Sequence, residues 1–236
     1  MNKRPMGPHK IRQMMKNERE LAKRRFRRQR NQNSLAKPGI HDCVIVLDHL
    51  KPGYNIGKIF RSAEAFGAAE LHLIGIDFFD PAPGMGAFKW VPAVFHNDFF
   101  TCYTQLINNG YTLFILEPGK GTPVMDTRLP PKSAFIFGHE EFGISFEPDL
   151  FPKIQPLTIP QFGKSQSLNV SVAASIILYE YVRQNAVPCS NAAVTNTTKT
   201  KKLQLTNKTR SHKIPLAYKN KNSKVTMIQR ETHENK

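Results

Sequence analysis

The sequence predicts an α/β fold in which a mainly parallel sheet is covered by helices on both faces. Five short runs rich in β-branched and aromatic residues, each bounded by turn residues, read as strands: residues 43–49 (CVIVLDH), 70–76 (ELHLIGI), 111–117 (YTLFILE), 133–138 (SAFIFG) and 154–160 (IQPLTIP). Segments of helical length and period alternate with them: NIGKIFRSAEAFG, NDFFTCYTQLINNG and SLNVSVAASIILYEYVRQN. The strands are apolar almost without interruption, as strands buried on both faces must be. With 236 residues, 40% of them hydrophobic, the chain has material for at least one full core.

The elements in chain order divide the protein into three parts. In residues 9–32 (HKIRQMMKNERELAKRRFRRQRNQ), Ile11, Met14, Met15, Leu21, Ala22 and Phe26 recur at helical intervals on a charged background. Such a basic amphipathic helix suits RNA, the protein's own core or a membrane surface, and the Arg run from Arg24 to Arg30 favours RNA. Pro38 and Gly39 break it, so residues 1–39 are a basic, partly helical arm and residues 40–187 the α/β domain. From Pro188 the chain turns to Asn, Thr and Lys with few large apolar residues, too few to offset the entropy of ordering. Residues 188–236 therefore read as a basic, largely disordered tail.

Charge follows the same division. The net charge of +16 resolves into +11 over residues 1–39, −4 over 40–187 and +9 over 188–236. Basic extensions around a mildly acidic domain suit a polyanion, because Lys and Arg displace counterions from phosphates whatever the base sequence. The first extension is read as a nucleic-acid contact; for the second, contact and plain solvation stand level. No run approaches the 18 or more apolar residues of a membrane-spanning helix, and no secretory or transit signal opens the chain, so a cytoplasmic protein is expected. Cys43, Cys102 and Cys189 are odd in number and far apart, and the eight His residues show no metal-binding spacing. Neither a disulfide framework nor a metal site is expected.

An α/β sheet binds ligands beyond the carboxyl ends of its strands, so the loops there are the candidate site. After the first strand, Asn55 has the chemistry of a helix N-cap and Gly57 lets another group approach the backbone. Ile56, Ile59, Phe60 and Ala63 form a buried stripe, and Arg61 falls off its centre. After residues 133–138, Gly138 and Gly143 flank His139, Glu140 and Glu141 in a tight acidic loop. After residues 154–160, QFGKSQ leads to Ser167, Leu168 and Asn169 at the start of a helix that is apolar nearly all round, as a subunit interface would require. More polar residues crowd that start than one cap needs. Neither G-x-G-x-x-G after the first strand nor G-x-x-x-x-G-K-[ST] occurs, which disfavours a dinucleotide fold and a P-loop.

Three separated stretches, NIGKIFRSAEAFGA, IFGHEEFGIS and IPQFGKSQSLNVSVAASIILYE, resemble in order the three signature motifs of the SpoU/TrmH family of RNA ribose 2'-O-methyltransferases. The likeness spans about residues 42–184 and leaves both extensions uncovered. It implies a SPOUT-type fold whose C-terminal segment threads a trefoil knot, an S-adenosylmethionine pocket within the knot, and a homodimer with the last helix near its interface. By that resemblance Gly138, Ile159 and Leu168 hold the cofactor, while Asn55, Arg61, Glu140, Ser167 and Asn169 serve substrate and catalysis. His139 stands where the family often has Asn or another residue. The implied activity is 2'-O-methylation of a ribose in structured RNA, tRNA or rRNA, with QSLNVSVA leaning toward tRNA. The alternative is a non-catalytic RNA-binding or assembly protein on the same fold. For the enzyme, Arg61 reads as a fixed cation for the developing oxyanion, because a guanidinium hardly deprotonates in proteins.

Overall fold

Successive residues of a strand point to opposite faces of its sheet, and the first core strand shows how the molecule is layered. In the computed structural model, which describes residues 7–186, β1 (His41–Asp48) sends Cys43, Ile45 and Leu47 into one apolar cluster and Val44 and Val46 into another. All five side chains are fully buried, so β1 is covered on both faces. It pairs in parallel with β2 (Ala68–Ile74) and β6 (Ser133–Phe137). The complete sheet adds β3 (Ala93–His96), β4 (Thr112–Leu116), β5 (Thr122–Pro123) and β7 (Ile154–Thr158) in the order β3-β2-β1-β6-β4-β7-β5, every pair parallel. Helices α2 (Tyr54–Ala65) and α4 (Val170–Asn185) pack on each other and on one face, and α3 (Phe99–Asn108) covers the other.

The five expected strands and three expected core helices are all present. Two strands that the sequence did not announce, β3 and β5, are the sheet's outermost members. β5 has two residues and includes Pro123, which an edge position tolerates. The stripe of α2 is as expected, with Ile56, Ile59, Phe60 and Ala63 buried and Arg61 exposed. Gly57 also has the expected role: an added Cβ would lie 3.1 Å from the carbonyl oxygen of Asp80 and 3.1 Å from the amide nitrogen of Gly84. Asn55 does not cap α2, however, since the helix starts at Tyr54 after Gly53 and has no side-chain cap. α4 begins at Val170, later than Ser167, and Asn169 alone caps it by accepting from the Ser171 N–H at 2.9 Å.

Helix α1 (Pro8–Asn33) divides into two unlike halves. Toward its C-terminus Phe26 is buried among Phe78, Phe79 and Phe88, with ring centroids 5.4, 5.2 and 5.5 Å away. The Asn33 amide donates to the carbonyls of Phe88 and Val91 at 2.5 and 2.6 Å, and its oxygen accepts from the Ala93 N–H at 3.1 Å. Ile11, Met14, Met15 and Leu21 are exposed. The arm is thus docked by its last three turns on the protein's own core, one of the alternatives the sequence leaves open, and projects by the rest. The tail from Pro188 lies outside the described residues. Among the described residues no helix is long and apolar enough to cross a membrane.

The two halves predict different sensitivities. Phe26→Ala removes a ring from a closed aromatic cluster and should cost about 3–5 kcal/mol of unfolding free energy, whereas Met15→Ser on the projecting half should stay within about 0.5 kcal/mol of the parent. Urea titration followed by circular dichroism checks both.

Candidate active site

The loop that leaves β6 is shaped by its glycines and anchored to β1. At Gly138 an added Cβ would lie 2.5 Å from the carbonyl carbon of Gly143, so only glycine fits there. Gly143 has φ 75°, and the two ends of the turn exchange hydrogen bonds: His139 N–H donates to Gly143 O at 2.6 Å and Gly143 N–H to His139 O at 2.9 Å. His139 Nδ1 accepts from the amides of Glu141 and Phe142 at 3.0 and 3.2 Å, so the imidazole organises the turn from within. Beyond the turn, Ser145 donates its N–H and Oγ–H to the fully buried Asp48 carboxylate at 2.6 and 2.8 Å. His49 Nδ1 lies 2.6 Å from the same carboxylate.

The turn so fixed presents Glu140 to two other loops. Its carboxylate accepts from the Asn55 amide at 2.9 Å and from the Lys51 N–H at 3.2 Å. Asn55 Oδ1 in turn accepts from the Asn169 amide at 3.2 Å, and Asn169 Oδ1 accepts from the N–H and the hydroxyl of Ser171 at 2.9 and 2.6 Å. Three side chains from three separate segments therefore form one directed chain. Partial burial opposes ionisation of Glu140, but the hydrogen bonds from Asn55 and the backbone outweigh it and hold its carboxyl below the usual range. Glu140 is therefore an ionised acceptor that fixes the orientation of Asn55.

Beside this chain, at the carboxyl ends of β4, β6 and β7, opens a cavity of about 430 Å³. That size suits a small-molecule ligand. Gly138, Ile159 and Leu168, the residues expected to hold a cofactor, all line it, and so do Glu140, Ser167 and Asn169. Asn55 joins the group through its hydrogen bonds to Glu140 and Asn169. Arg61 does not line this cavity. It lies along a separate groove between α2 and α4 with Lys58, Ser175 and Tyr179.

A sequence profile of the SpoU rRNA Methylase family matches residues 42–179. The chain belongs to this family. Among its relatives, a tRNA (guanosine(18)-2'-O)-methyltransferase of Thermus thermophilus is 33% identical over 150 residues, which cover 61% of this chain and 75% of the relative. The enzyme of the same description from Escherichia coli is 30% identical over 149 residues, covering 61% and 64%. The crystal structure of the SpoU methyltransferase AviRb from Streptomyces viridochromogenes, in complex with the cofactor AdoMet, superposes with a TM-score of 0.53 at 28% identity over 63% of this chain and 58% of that one.

Sequence reasoning missed four residues of this SpoU-family site. Gln161 lines the cavity, and its Oε1 is buried with no hydrogen-bond partner among the described residues. Glu117 lines the opposite wall at the end of β4. Glu117 directly follows β4 and Gln161 lies three residues past β7, and a place in a strand-end loop is the one signal that would have found them. Asp48 and Ser145 act at a distance along the chain, through a contact between residues 97 apart that no local pattern encodes.

The depressed carboxyl of Glu140 sets a sign that can be checked. Its ionised form favours the folded state, a contribution present above the ordinary carboxyl range and lost as pH falls through the folded value. Asn55→Ala removes the strongest donor, so the Glu140 titration should move upward and this acid-side contribution should shrink. Carboxyl-carbon NMR of the two proteins across the acid range measures it; an unmoved titration would mean that the Asn55 contact does not hold the charge.

Proposed function

We propose that this chain is an S-adenosylmethionine-dependent RNA methyltransferase that acts on a ribose 2'-hydroxyl, works as a homodimer and favours tRNA. The observation that carries the reading is the chain of hydrogen bonds from Glu140 through Asn55 to Asn169 at the rim of a cavity lined by Gly138, Ile159 and Leu168. The cavity fits the cofactor: its walls offer backbone groups and apolar side chains, and the unpartnered Gln161 Oε1 is an acceptor awaiting a donor such as an amino group. When bound, S-adenosylmethionine supplies an activated sulfonium methyl group. Names of the curated relatives point to tRNA guanosine, which supports the lean toward tRNA.

What the protein's own residues contribute is alignment and charge. Asn169 is held from two sides, by Ser171 below and Asn55 beside it. Asn169 and the neighbouring Ser167 both line the cavity, and in our reading they orient the ribose hydroxyl there. Arg61 supplies a fixed cation for the developing oxyanion. Because it lies along the α2–α4 groove, we read that groove as the face a second copy covers, and Arg61 as reaching the reacting ribose across it. Val172 and Tyr179, 47% and 59% exposed on α4, give that face its apolar character. The knotted SPOUT topology belongs to the same reading. It is supported by the insertion of β6 between β1 and β4 and by the close pass of Gly121, where an added Cβ would lie 2.3 Å from the Pro156 carbonyl. Reduced Cys43 and Cys102 and an RNA substrate suit the cytoplasm.

Incubating the full chain with methyl-labelled cofactor and total RNA, then mapping the label by nuclease digestion, tests the assignment. Label in an alkali-resistant dinucleotide identifies a 2'-O-methyl group; RNA binding without label would favour the non-catalytic alternative. Two substitutions test the roles. Arg61→Ala should abolish transfer while leaving cofactor affinity and folding nearly unchanged. Asn169→Asp keeps the oxygen that caps α4 but loses the amide donated to Asn55, so activity should fall by at least tenfold while stability changes by less than the roughly 1 kcal/mol of a lost cap.

The arm supplies the third test. Arg19, Arg24, Arg27 and Arg28 are exposed on α1. Replacing all four with Gln should weaken RNA binding and flatten its dependence on salt, by about 0.7–0.9 in the log–log slope for each phosphate that is no longer neutralised. The docked Phe26 is untouched, so the melting temperature should hold. Unchanged slopes would remove the arm from the RNA interface.

A further inference from the structure

Spacing along the chain gave no metal site, but the fold assembles what spacing could not show. His96 and Cys102 follow His72 by 24 and 30 residues, yet His96 Nε2 lies 2.9 Å and Cys102 Sγ 3.4 Å from His72 Nδ1. All three ligand atoms lie within 4.8 Å of one another. On the far side of the ring, His72 Nε2 lies 2.9 Å from the Glu70 carboxylate. His72 and Cys102 are fully buried and His96 is 8% exposed. None of these residues lines the proposed cofactor cavity.

With His72 neutral, the contacts of the cluster converge on a single lone pair. Glu70 accepts only, so His72 Nε2 carries the proton and Nδ1 is left with one lone pair. Two neighbours, the Cys102 thiol and His96 Nε2, both point at that lone pair. A cation at the centre resolves the conflict by taking the Nδ1 and Nε2 lone pairs and a thiolate together. We propose that His72, His96 and Cys102 form a zinc-binding site that fastens α3 and the edge strand β3 to β2, with Glu70 holding the His72 ring in its ligating tautomer.

Distances, charge and chemistry agree with this assignment. Tetrahedral zinc, with bonds of about 2.0–2.1 Å to nitrogen and 2.3 Å to sulfur, separates two nitrogens by about 3.3 Å and nitrogen from sulfur by about 3.6 Å. The two pairs that include His72 have to open by only a few tenths of an ångström, and His96 Nε2 and Cys102 Sγ, which lie within 4.8 Å of each other, move to about 3.6 Å. One thiolate and the Glu70 carboxylate balance the dication, and a carboxylate behind a ligating imidazole is the usual support of such a site. Cys102 carries a fully buried thiol. A coordinated metal deprotonates such a thiol outright, the proton leaving to solvent as the metal–sulfur bond forms. Three protein ligands leave the fourth tetrahedral position for water.

Full-length protein stripped with a chelator, equilibrated with zinc chloride or cobalt chloride and desalted provides the test. Elemental analysis should find about one metal per chain, the cobalt form should show a thiolate-to-cobalt charge-transfer band, and zinc should raise the melting temperature. Cys102→Ser should abolish the band and the thermal shift, and Glu70→Gln should weaken zinc binding by about 10–100-fold. A second variant, Cys43→Ala/Cys189→Ser, leaves Cys102 as the sole cysteine and must keep the band, which preserves the test if Cys102→Ser does not fold. A wild-type protein that retains no metal, a band that survives Cys102→Ser, or one lost from the second variant would overturn the site and leave a hydrogen-bonded cluster.

Discussion

A single buried carboxylate at the end of β1 fixes the geometry of the site. Asp48 has no solvent exposure, and taking an ion out of water costs several kcal/mol unless its oxygens are satisfied. Two hydrogen bonds from Ser145 and the contact with His49 supply that satisfaction. Hydrogen bonds to a charged group stabilise by about 1.5–3 kcal/mol each, so the loop after β6 has little freedom to leave β1. That constraint places Glu140, Glu140 orients Asn55, and Asn55 holds Asn169. Each link joins a different loop, and the order of dependence runs from the core outward.

The parallel sheet makes such a convergence available. All strands point the same way, so the loops after β1, β4, β6 and β7 emerge on one side, where backbone and side chains of distant segments meet. Close approach there demands small residues. Gly138 passes against Gly143, and Gly121 passes against Pro156. A side chain at Gly138 would force apart the turn that lines the cavity. Steric economy in the loops and burial in the strands are thus parts of one design.

The core strands were legible in the sequence because burial on both faces writes an unbroken apolar run. β3 and β5 were not, because four residues at one edge and two at the other carry no such signal. Gly138, Ile159 and Leu168, which motif likeness groups as cofactor residues, line one cavity. Asn55 shows where local reasoning fails. Its chemistry suited a cap, but Gly53 precedes the helix without one, and the amide is spent on Glu140, 85 residues away. The surplus polar residues before α4 resolve in the same way: one of them caps, and Ser167 faces the cavity. Arg61 was read correctly as lying off the buried stripe, but no pattern in one chain says which surface it serves.

Helix α1 shows how composition can conceal a division of labour. Its apolar residues keep helical spacing throughout, so the sequence describes one amphipathic arm. Packing separates it because only the second half meets a partner surface. Phe26 closes an aromatic cluster, and Arg30 lies over the Phe95 ring at 4.2 Å, so a cation and a phenyl group serve the same dock. Asn33 then satisfies three backbone groups around residues 88–93 that no strand or helix pairs. The docked half fixes the direction of the projecting half, so the first turns carry their cations outward on a rigid rod. A flexible basic tail would lose conformational entropy on meeting a polyanion; a rod anchored by Phe26 and Asn33 has given up most of it on folding.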